Sequence, residues 1–295
     1  MNTKMKIFIN GFGRIGRTVL RAILKTERQS DFEIFGVNDL EGPEICAYLL
    51  EFESIYGNLG LPTNYQDGTL RVGNTQIPFY NEEDISSLDL SLVDVVLECS
   101  GHNSSRQFLE RGLTAGAKFV LVSGPSSRAD ATFVCGVNEQ EFGRQKIVSN
   151  SSCTTNAFAP LLKFLNYNFG IISGNMLTVH CYTGSQPTID KPGRDPARSR
   201  AAGLSMVPTT TSAALEVTSL LPELADKVLV SALRVPVPSV SAIDFSFRTD
   251  KPFSSAALVK LLNEHPTLNP IIGCTDKPLV SSDLKGRPEL SLIHI

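Results

Sequence analysis

The chain of 295 residues is long enough for two domains that each bury a core, and its 42% hydrophobic and 19% charged content is typical of globular proteins. Its net charge of −3 provides no basic surface for nucleic acid, and no apolar run approaches the ~18 residues of a membrane span. The six cysteines form no Cys-x-x-Cys pair, so we expect free thiols, no metal centre and a cytoplasmic location. The sequence passes from residue 1 almost directly into a strand, which predicts no signal peptide.

The first predicted elements surround a glycine motif. A short apolar strand is followed by G-x-G-x-x-G, then by a helical pattern and a second strand that ends at Asp39. In this context Gly11 permits a tight turn, Gly13 lets the backbone approach a pyrophosphate, and Gly16 lets helix and strand pack closely. We predict a dinucleotide site in which Asp39 binds the adenosine ribose and repels a 2′-phosphate, which favours NAD over NADP. The alternative is a structural turn with a surface aspartate.

Strands and helices continue to alternate through the first half. Apolar strand-like runs end at Ser100 and Ser123, and a helix is predicted between them over 105–115, with Gly116 at its C-cap. Two further short strands are predicted over 132–137 and 146–149. Apolar strands between helices indicate a buried, mainly parallel sheet, and ligands bind beyond the carboxyl ends of such strands. Ser100 and Ser123 are therefore either secondary cofactor contacts or ordinary loop residues.

Residues 150–156 read Asn-Ser-Ser-Cys-Thr-Thr-Asn and directly precede an apolar run. Ser, Thr and Asn begin helices because their side chains satisfy free backbone N–H groups. Cys153 would then lie in the positive field of a helix N-terminus, which favours the nucleophilic thiolate. The pattern predicts a helix-mounted nucleophile, and the alternative is a small core residue.

The second half is typical of an α+β domain with a mostly antiparallel sheet. One of its strands alternates partly between apolar and polar residues, as in a sheet with one solvated face. The predicted strands are 176–182, 228–237 and 241–249, with helices over 212–221 and 254–262. The fold class predicted is α/β, with a Rossmann-type NAD-binding domain over 1–152 followed by an α+β catalytic domain over 153–295. Cys153 is expected at the junction.

Several polar residues of the second half are candidates for catalysis or anion binding. His180 closes a strand-like run and is either structural or a base for the cysteine. The polar segment 186–203 is either a solvated loop or a phosphate-recognition segment, because its arginines offer planar paired donors. Thr211 and Ser212 precede a helix, a position that suits an anion. Arg234 lies inside an apolar strand and needs an anionic partner, either an internal acid or a bound phosphate.

Taken together, these residues resemble the phosphorylating glyceraldehyde-3-phosphate dehydrogenase family along the whole chain. The matching segments, in order and at family spacing, are 9–17, 37–40, 149–156, 179–183, 234–236 and 281–283. The resemblance implies that Cys153 attacks the substrate aldehyde and His180 takes the proton, after which inorganic phosphate cleaves a thioester. It also implies a cytoplasmic homotetramer whose partners are a sugar phosphate and inorganic phosphate, with no membrane or nucleic acid.

The resemblance assigns further residues by position. Arg14, Ile15 and Asp39 resemble contacts to adenosine and pyrophosphate, and Pro192 fits the NAD-type pattern although Lys191 is less usual there. Thr183 and Arg234 resemble the site of the substrate's own phosphate. The residues that resemble the site of the attacking phosphate are Ser152, Thr154, Arg198 and Thr211. The segment 181–203 resembles the loop that reaches toward a neighbouring subunit's cofactor in the family tetramer.

One departure from the family concerns the C-terminal side. The family continues past residues 281–283 with a strand, an asparagine that holds the nicotinamide carboxamide and a long helix, whereas this sequence ends at Ile295 and contains no Trp. Two alternatives to the triose enzyme remain open. One is an erythrose-4-phosphate dehydrogenase, which has the same scaffold and nucleophile but fits Thr183 and the segment 209–211 less well. The other is a catalytically impaired remnant that still binds NAD.

Overall fold

The computed structural model describes residues 4–294. Residues 1–3 and 295 lie outside the described residues. They include the outer limits of the two predicted domains and the start of the segment that predicts no signal peptide. The chain forms two compact units. The amino-terminal unit comprises Met1–Phe133 with Phe142–Ser151, and the carboxy-terminal unit comprises Val134–Glu141 with Ser152–Ile295.

The amino-terminal unit is built around a 9-stranded sheet. Its helices are α1 (Arg14–Lys25), α2 (Pro43–Glu51) and α3 (Arg106–Thr114). Its strands are β1 (Met5–Asn10), β2 (Phe32–Asn38), β3 (Phe52–Glu53), β4 (Gly57–Asn58), β5 (Thr63–Gln66), β6 (Thr69–Val72), β7 (Thr75–Tyr80), β8 (Val95–Glu98), β9 (Phe119–Val122), β10 (Ala131–Thr132) and β11 (Ile147–Ser149).

The topology of this sheet confirms the Rossmann-type prediction. The strands β7-β2-β1-β8-β9-β11 lie side by side and are all parallel. This is the 3-2-1-4-5-6 order of the doubly wound dinucleotide-binding fold, and the strand order reverses between β1 and β8. The antiparallel strands β5 and β6 extend the sheet beyond β7 and were not predicted. Buried apolar side chains cover both faces, as expected for a parallel sheet between helices.

The strand predicted over 132–137 is wrong beyond its first residue. Only Ala131–Thr132 pairs with the sheet, and the chain then turns, with the Val137 N–H donating to the Val134 carbonyl at 3.0 Å. Val134 and Val137 are buried against Phe158 in the core of the carboxy-terminal unit. The apolar residues that suggested a strand therefore serve a different core.

The carboxy-terminal unit has the predicted α+β organisation. Its helices are α4 (Cys153–Phe169), α5 (Ala213–Leu220) and α6 (Ser255–Glu264). Its strands are β12 (Ile171–Cys181), β13 (Val207–Thr209), β14 (Val228–Val235), β15 (Ala242–Thr249), β16 (Ile272–Thr275) and β17 (Ser291–His294). The 4-stranded sheet has the order β13-β14-β12-β15, in which two of the pairings are antiparallel and the central pairing, β12 with β14, is parallel.

The core of this unit fixes α4 against the sheet. Phe158 and Leu162 of α4 pack with Met176 of β12 and with Phe245 of β15, whose ring meets that of Phe158 edge to face at 4.8 Å. Burial of these side chains holds the first turn of α4 close to the end of β12. Within residues 4–294 no helix is long and apolar enough to cross a membrane.

Candidate active site

The glycine turn of the amino-terminal unit has the backbone geometry that the motif predicts. Gly11 has a φ of +93°, and a Cβ at this position would overlap the backbone of Ser100 at the end of β8. A Cβ at Gly16 would overlap the carbonyl oxygen of Gly11. At Gly13, by contrast, an added Cβ meets no heavy atom within 4 Å. Gly11 and Gly16 are therefore needed by the turn itself, whereas Gly13 leaves open space where a pyrophosphate can approach α1.

Asp39 lies directly beside this turn. Its Oδ2 accepts a hydrogen bond from the Phe12 N–H at 2.5 Å, and its Oδ1 accepts one from the Glu41 N–H at 2.9 Å. The side chains of Arg14 and Ile15 are exposed at the start of α1, and Ile15 is 50% exposed although it is apolar. The first turn of α1 has no side-chain cap. Open space, uncapped N–H groups and a carboxylate at the end of β2 together fit a dinucleotide.

Ser100 and Ser123 lie at the carboxyl ends of β8 and β9, as predicted. The Ser100 hydroxyl donates to the carboxylate of Glu98, and the Ser123 N–H donates to the Glu98 carbonyl at 3.0 Å. The second carboxylate oxygen of Glu98 accepts from the Asn10 amide at 2.6 Å. Burial raises the pKa of Glu98, and the bonds from Ser100 and Asn10 offset part of that rise. This network ties the ends of β1 and β8 together where the strand order reverses.

Cys153 is the first residue of α4. The N-cap is Ser152, whose Oγ accepts a hydrogen bond from the Thr155 N–H at 3.1 Å. The predicted helix start is therefore confirmed, and Cys153 lies within its first turn. The backbone N–H and the hydroxyl of Thr154 interact with Cys153 and favour its thiolate.

His180 faces Cys153 within the same unit. The Nε2 atom of His180 lies 3.2 Å from the Cys153 Sγ, and the imidazole is nearly buried. Its other ring nitrogen, Nδ1, lies 2.7 Å from the carbonyl oxygen of Cys181. With the proton on Nδ1, the ring donates to this carbonyl and Nε2 is free to accept the thiol proton. The geometry is that of a nucleophile beside an oriented base.

Arg234 completes this cluster from the neighbouring strand. The parallel register of β12 and β14 sets Arg234 opposite His180. Its Nη1 donates to the Cys181 carbonyl at 2.6 Å and lies 2.7 Å from His180 Nδ1. Among residues 4–294 no acid pairs with Arg234 or contributes to its pKa shift. Of the two partners considered for this arginine, an internal acid is thus excluded and an external anion remains.

The surroundings of Cys153 and His180 disfavour a charge on either side chain alone. Burial raises the pKa of the Cys153 thiol, and the Thr154 N–H and Arg234 offset part of that rise. Burial lowers the pKa of His180, the Cys181 carbonyl raises it, and Arg234 lowers it further. Each group alone therefore favours its neutral form. A thiolate beside an imidazolium at 3.2 Å is the charged form that the site supports, since the two charges attract each other at close range.

The predicted phosphate-binding residues occupy the same unit. Arg198 donates through Nε to the Thr209 hydroxyl at 2.8 Å and through Nη2 to the Thr210 carbonyl at 3.1 Å. The pKa of Arg234 is lowered mainly by burial, with a contribution from the positive charge of Arg198. Thr211 Oγ1 accepts from the Ala213 N–H at 3.2 Å at the start of α5. Arg198 also lies 3.5 Å from the Asp195 carboxylate, which partly neutralises it, so that Arg234 is, of the two, the cation without an acid among residues 4–294.

The remaining predicted residues make fewer contacts. Ser212 is exposed at the N-cap of α5 and makes no side-chain capping bond. The hydroxyl of Thr183 lies 3.0 Å from that of Ser185, just beyond the end of β12. The structure therefore brings Cys153, His180 and Arg234 into direct contact, and it does not join Thr183 to Arg234 by a hydrogen bond.

Glu216 was missed by the sequence reasoning. Its Oε2 accepts a hydrogen bond from the Ser152 N–H at 3.2 Å and another from the Thr155 hydroxyl at 2.6 Å. Glu216 therefore ties the first turn of α5 to the start of α4. The available signal was local, because Glu216 is the one charged side chain in the sequence of α5, Ala-Ala-Leu-Glu-Val-Thr-Ser-Leu. Within the described residues, no group of three or more His, Cys, Asp or Glu is placed to hold a metal ion.

Comparison with known proteins agrees with this fold. The family model for the glyceraldehyde 3-phosphate dehydrogenase NAD binding domain matches residues 5–106, and that for the C-terminal domain of the same enzyme matches residues 152–295. The glyceraldehyde-3-phosphate dehydrogenase of Xanthobacter flavus is 42% identical, over 99% of this chain and 88% of the relative. Those of Priestia megaterium and Geobacillus stearothermophilus are each 39% identical, over 98% of this chain and 87% of the relative.

The class of protein follows from the two units together with these matches. A Rossmann-type unit that matches an NAD-binding domain, followed by a unit that matches the C-terminal domain of the same enzyme, defines an NAD-dependent oxidoreductase. More particularly, the chain belongs to the glyceraldehyde-3-phosphate dehydrogenase family.

Proposed function

We propose that the protein catalyses the phosphorylating oxidation of glyceraldehyde 3-phosphate, the glycolytic reaction that yields 1,3-bisphosphoglycerate. The observation that carries the proposal is the 3.2 Å contact between Cys153 Sγ and His180 Nε2 in a catalytic unit of this family. Arg234, which pairs with no acid among residues 4–294, adjoins Cys153 and His180 and suits a phosphorylated substrate.

The first step is addition of the thiolate to the aldehyde. Cys153 Sγ forms a bond to the carbonyl carbon, the C=O π bond opens onto the oxygen, and that oxygen takes the proton that His180 Nε2 had received from the thiol. When the carbon is oxidised, the hydroxyl passes this proton back to Nε2. The Cys181 carbonyl holds Nδ1–H, so that Nε2 faces the reacting atoms and the imidazolium is stabilised when it forms. Burial lowers the pKa of His180, which favours return of the ring to its neutral, proton-accepting form.

The amino-terminal unit holds the oxidant. When bound, NAD supplies a two-electron acceptor, and oxidation leaves the acyl group on Cys153 as a thioester. Asp39 accepts hydrogen bonds from the ribose hydroxyls, and the open space at Gly13 admits the pyrophosphate. The residues proposed to line this site are Gly11, Gly13, Arg14, Ile15, Gly16, Asp39, Ser100 and Ser123.

Release of the product requires inorganic phosphate. A phosphate oxygen attacks the thioester carbon, the carbon–sulfur bond breaks, and Cys153 leaves as the thiolate. Thr183 and Arg234 are proposed to bind the phosphate of the sugar. The groups proposed to receive the attacking phosphate are Ser152, Thr154, Arg198, Thr211 and Ser212.

The test is NADH formation with each component left out in turn. We expect steady turnover only with aldehyde, NAD and phosphate together, and a single burst of NADH, one per site, when phosphate is omitted. Cys153→Ser should abolish both burst and turnover, whereas Cys135→Ser, which removes an exposed cysteine elsewhere, should retain them. A full burst in the Cys153→Ser enzyme would overturn the assignment.

We also propose that the protein acts as a homotetramer in the cytoplasm. Large apolar side chains on the surface of the carboxy-terminal unit support self-association, because such surface is costly to leave in water. The residues concerned, each at least 68% exposed, are Ile189, Leu204, Met206, Leu215 and Leu229.

A further inference from the structure

Glu216 lies where two functional helices begin. It belongs to the first turn of α5, which follows Thr211 and Ser212, and its carboxylate reaches the N-cap of α4, which carries Cys153. Its Oε2 receives two hydrogen bonds, from the Ser152 N–H at 3.2 Å and from the Thr155 hydroxyl at 2.6 Å. A carboxylate has thus been placed among the groups proposed to receive inorganic phosphate.

The hydrogen bonds around Glu216 form a continuous chain. The Thr155 N–H donates to Ser152 Oγ at 3.1 Å, the two hydroxyls of Ser152 and Thr155 lie 2.7 Å apart, and the Thr155 hydroxyl donates to Glu216. All these groups are satisfied while the carboxylate is charged, and the chain of bonds strengthens each member. The donors at the start of α4 are therefore engaged with an internal anion.

An internal anion opposes an external one. Donors at a helix N-terminus bind phosphate because they present N–H groups and a positive field. At the start of α4, Glu216 takes the Ser152 N–H and contributes a negative charge of its own. An incoming phosphate ion must share these donors with the carboxylate and approach a like charge, which raises the concentration of phosphate needed for saturation.

We propose that Glu216 is a specificity-determining residue for cleavage of the thioester. Its negative charge weakens the binding of inorganic phosphate, the acceptor of the acyl group. The proposal rests on the proposed function. It concerns thioester cleavage alone, since Glu216 contacts neither Cys153 Sγ nor His180. Formation of the thioester is independent of it, and the thioester persists longer before phosphate takes the acyl group.

The experiment compares Glu216→Gln with the parent enzyme. Glutamine keeps the length of the side chain and an oxygen that accepts from Ser152 and Thr155, but it removes the charge. We expect the KM for phosphate to fall at least about tenfold, the scale on which one nearby like charge shifts an ionic equilibrium. The KM for the aldehyde and the size of the NADH burst without phosphate should stay unchanged.

Two further variants separate charge from structure. Glu216→Asp retains the charge and should keep the high KM for phosphate. Glu223→Gln removes an exposed acid beyond the end of α5 and should leave every constant unchanged. A purely structural role would instead lower the melting temperature and the NADH burst in Glu216→Gln and Glu216→Asp alike. That result would overturn the proposal.

The outcomes also distinguish this inference from the proposed function. Absence of an NADH burst in the parent enzyme would contradict the proposed function itself. A normal burst with an unchanged KM for phosphate in Glu216→Gln would contradict only the role of Glu216. If Glu216→Gln fails to fold, Glu216→Asp provides the test. A tenfold lower KM for phosphate in Glu216→Asp would contradict the proposal, because that variant keeps the negative charge.

Discussion

At the scale of single residues, the proposed chemistry depends on one contact between a thiol and an imidazole. Cys153 and His180 are 27 positions apart in the chain, and their side chains meet at 3.2 Å. Burial raises the pKa of Cys153 and lowers that of His180, so that each group alone favours its neutral form. The two charged forms stabilise each other. The titration of the two groups is therefore coupled, and its apparent pKa values describe the pair rather than either residue.

Replacement of His180 by Asn should therefore leave Cys153 with a raised pKa and no proton acceptor. We expect kcat to fall by about 10²–10⁴, the usual contribution of a general base. The rate of alkylation of Cys153 by iodoacetamide should rise only at higher pH, because the imidazolium that stabilises the thiolate at lower pH is lost. His294→Asn, at an exposed histidine, is the control. An unchanged alkylation profile in His180→Asn would contradict the pairing.

Asp39 is expected to set the choice of cofactor. Asp39→Asn keeps an oxygen that can accept from the Phe12 N–H and removes the charge that repels a 2′-phosphate. The ratio of kcat/KM for NADP to that for NAD should rise about tenfold or more, since one nearby like charge has an effect of this size. Glu41→Gln removes the charge of an exposed neighbour and should change this ratio much less. A ratio that does not respond to Asp39→Asn would remove Asp39 from the ribose site.

At the scale of elements, the glycine turn between β1 and α1 separates two kinds of requirement. The space at Gly11 is filled by the end of β8, so glycine there serves the fold. The space at Gly13 is open, and the backbone of Gly13, with φ −65° and ψ −162°, is accessible to other residues. The turn does not itself need glycine at 13, and we propose that glycine there leaves room for the pyrophosphate.

Alanine at these two positions should produce opposite defects. Gly11→Ala combines a positive φ with overlap against Ser100. We therefore expect the free energy of unfolding of the amino-terminal unit to fall by about 1–3 kcal/mol. Gly13→Ala should unfold at nearly the parental temperature but bind NAD at least about tenfold more weakly, because its methyl group occupies the pyrophosphate space. Calorimetry and NAD titration on both variants provide the measurement. Equal stability losses in the two variants would contradict this division of roles.

At the scale of the whole molecule, exposed apolar side chains support the proposed self-association. Leu204 and Leu229 are 86% and 73% exposed in the carboxy-terminal unit. Exposed apolar surface of this kind is typical of sites where proteins associate. Hydrophobic burial between subunits would remove this surface from water.

Light scattering should accordingly give a molar mass of about four times the 32.0 kDa chain. Replacing Leu204 or Leu229 by Glu should lower this mass, because a charge is costly at a buried interface. The control is Leu92→Glu, at a leucine of the amino-terminal unit that is 61% exposed. A monomeric parent protein would contradict the tetramer.

Much of the fold could be predicted because its signals are local. The G-x-G-x-x-G motif, the strand before it and the acid after the next strand lie within 39 residues, and the helix start at Ser152 and Cys153 depends on neighbouring hydroxyls. These features follow from backbone freedom, capping and apolar periodicity, which each segment carries by itself. The strand predicted over 132–137 failed because apolar character does not reveal which core a side chain joins.

The sequence by itself thus determined the two kinds of domain, the NAD-binding turn and the cysteine at a helix start. Only the tertiary structure decided that His180 and Arg234 lie opposite each other in the parallel pairing of β12 and β14, and that Glu216 reaches the start of α4. It also decided that, within the part of the chain that the structure describes, no acid pairs with Arg234. The physical reason is that these contacts join residues 54 and 64 positions apart. Their distances depend on how strands pair and helices pack, and no local pattern specifies that.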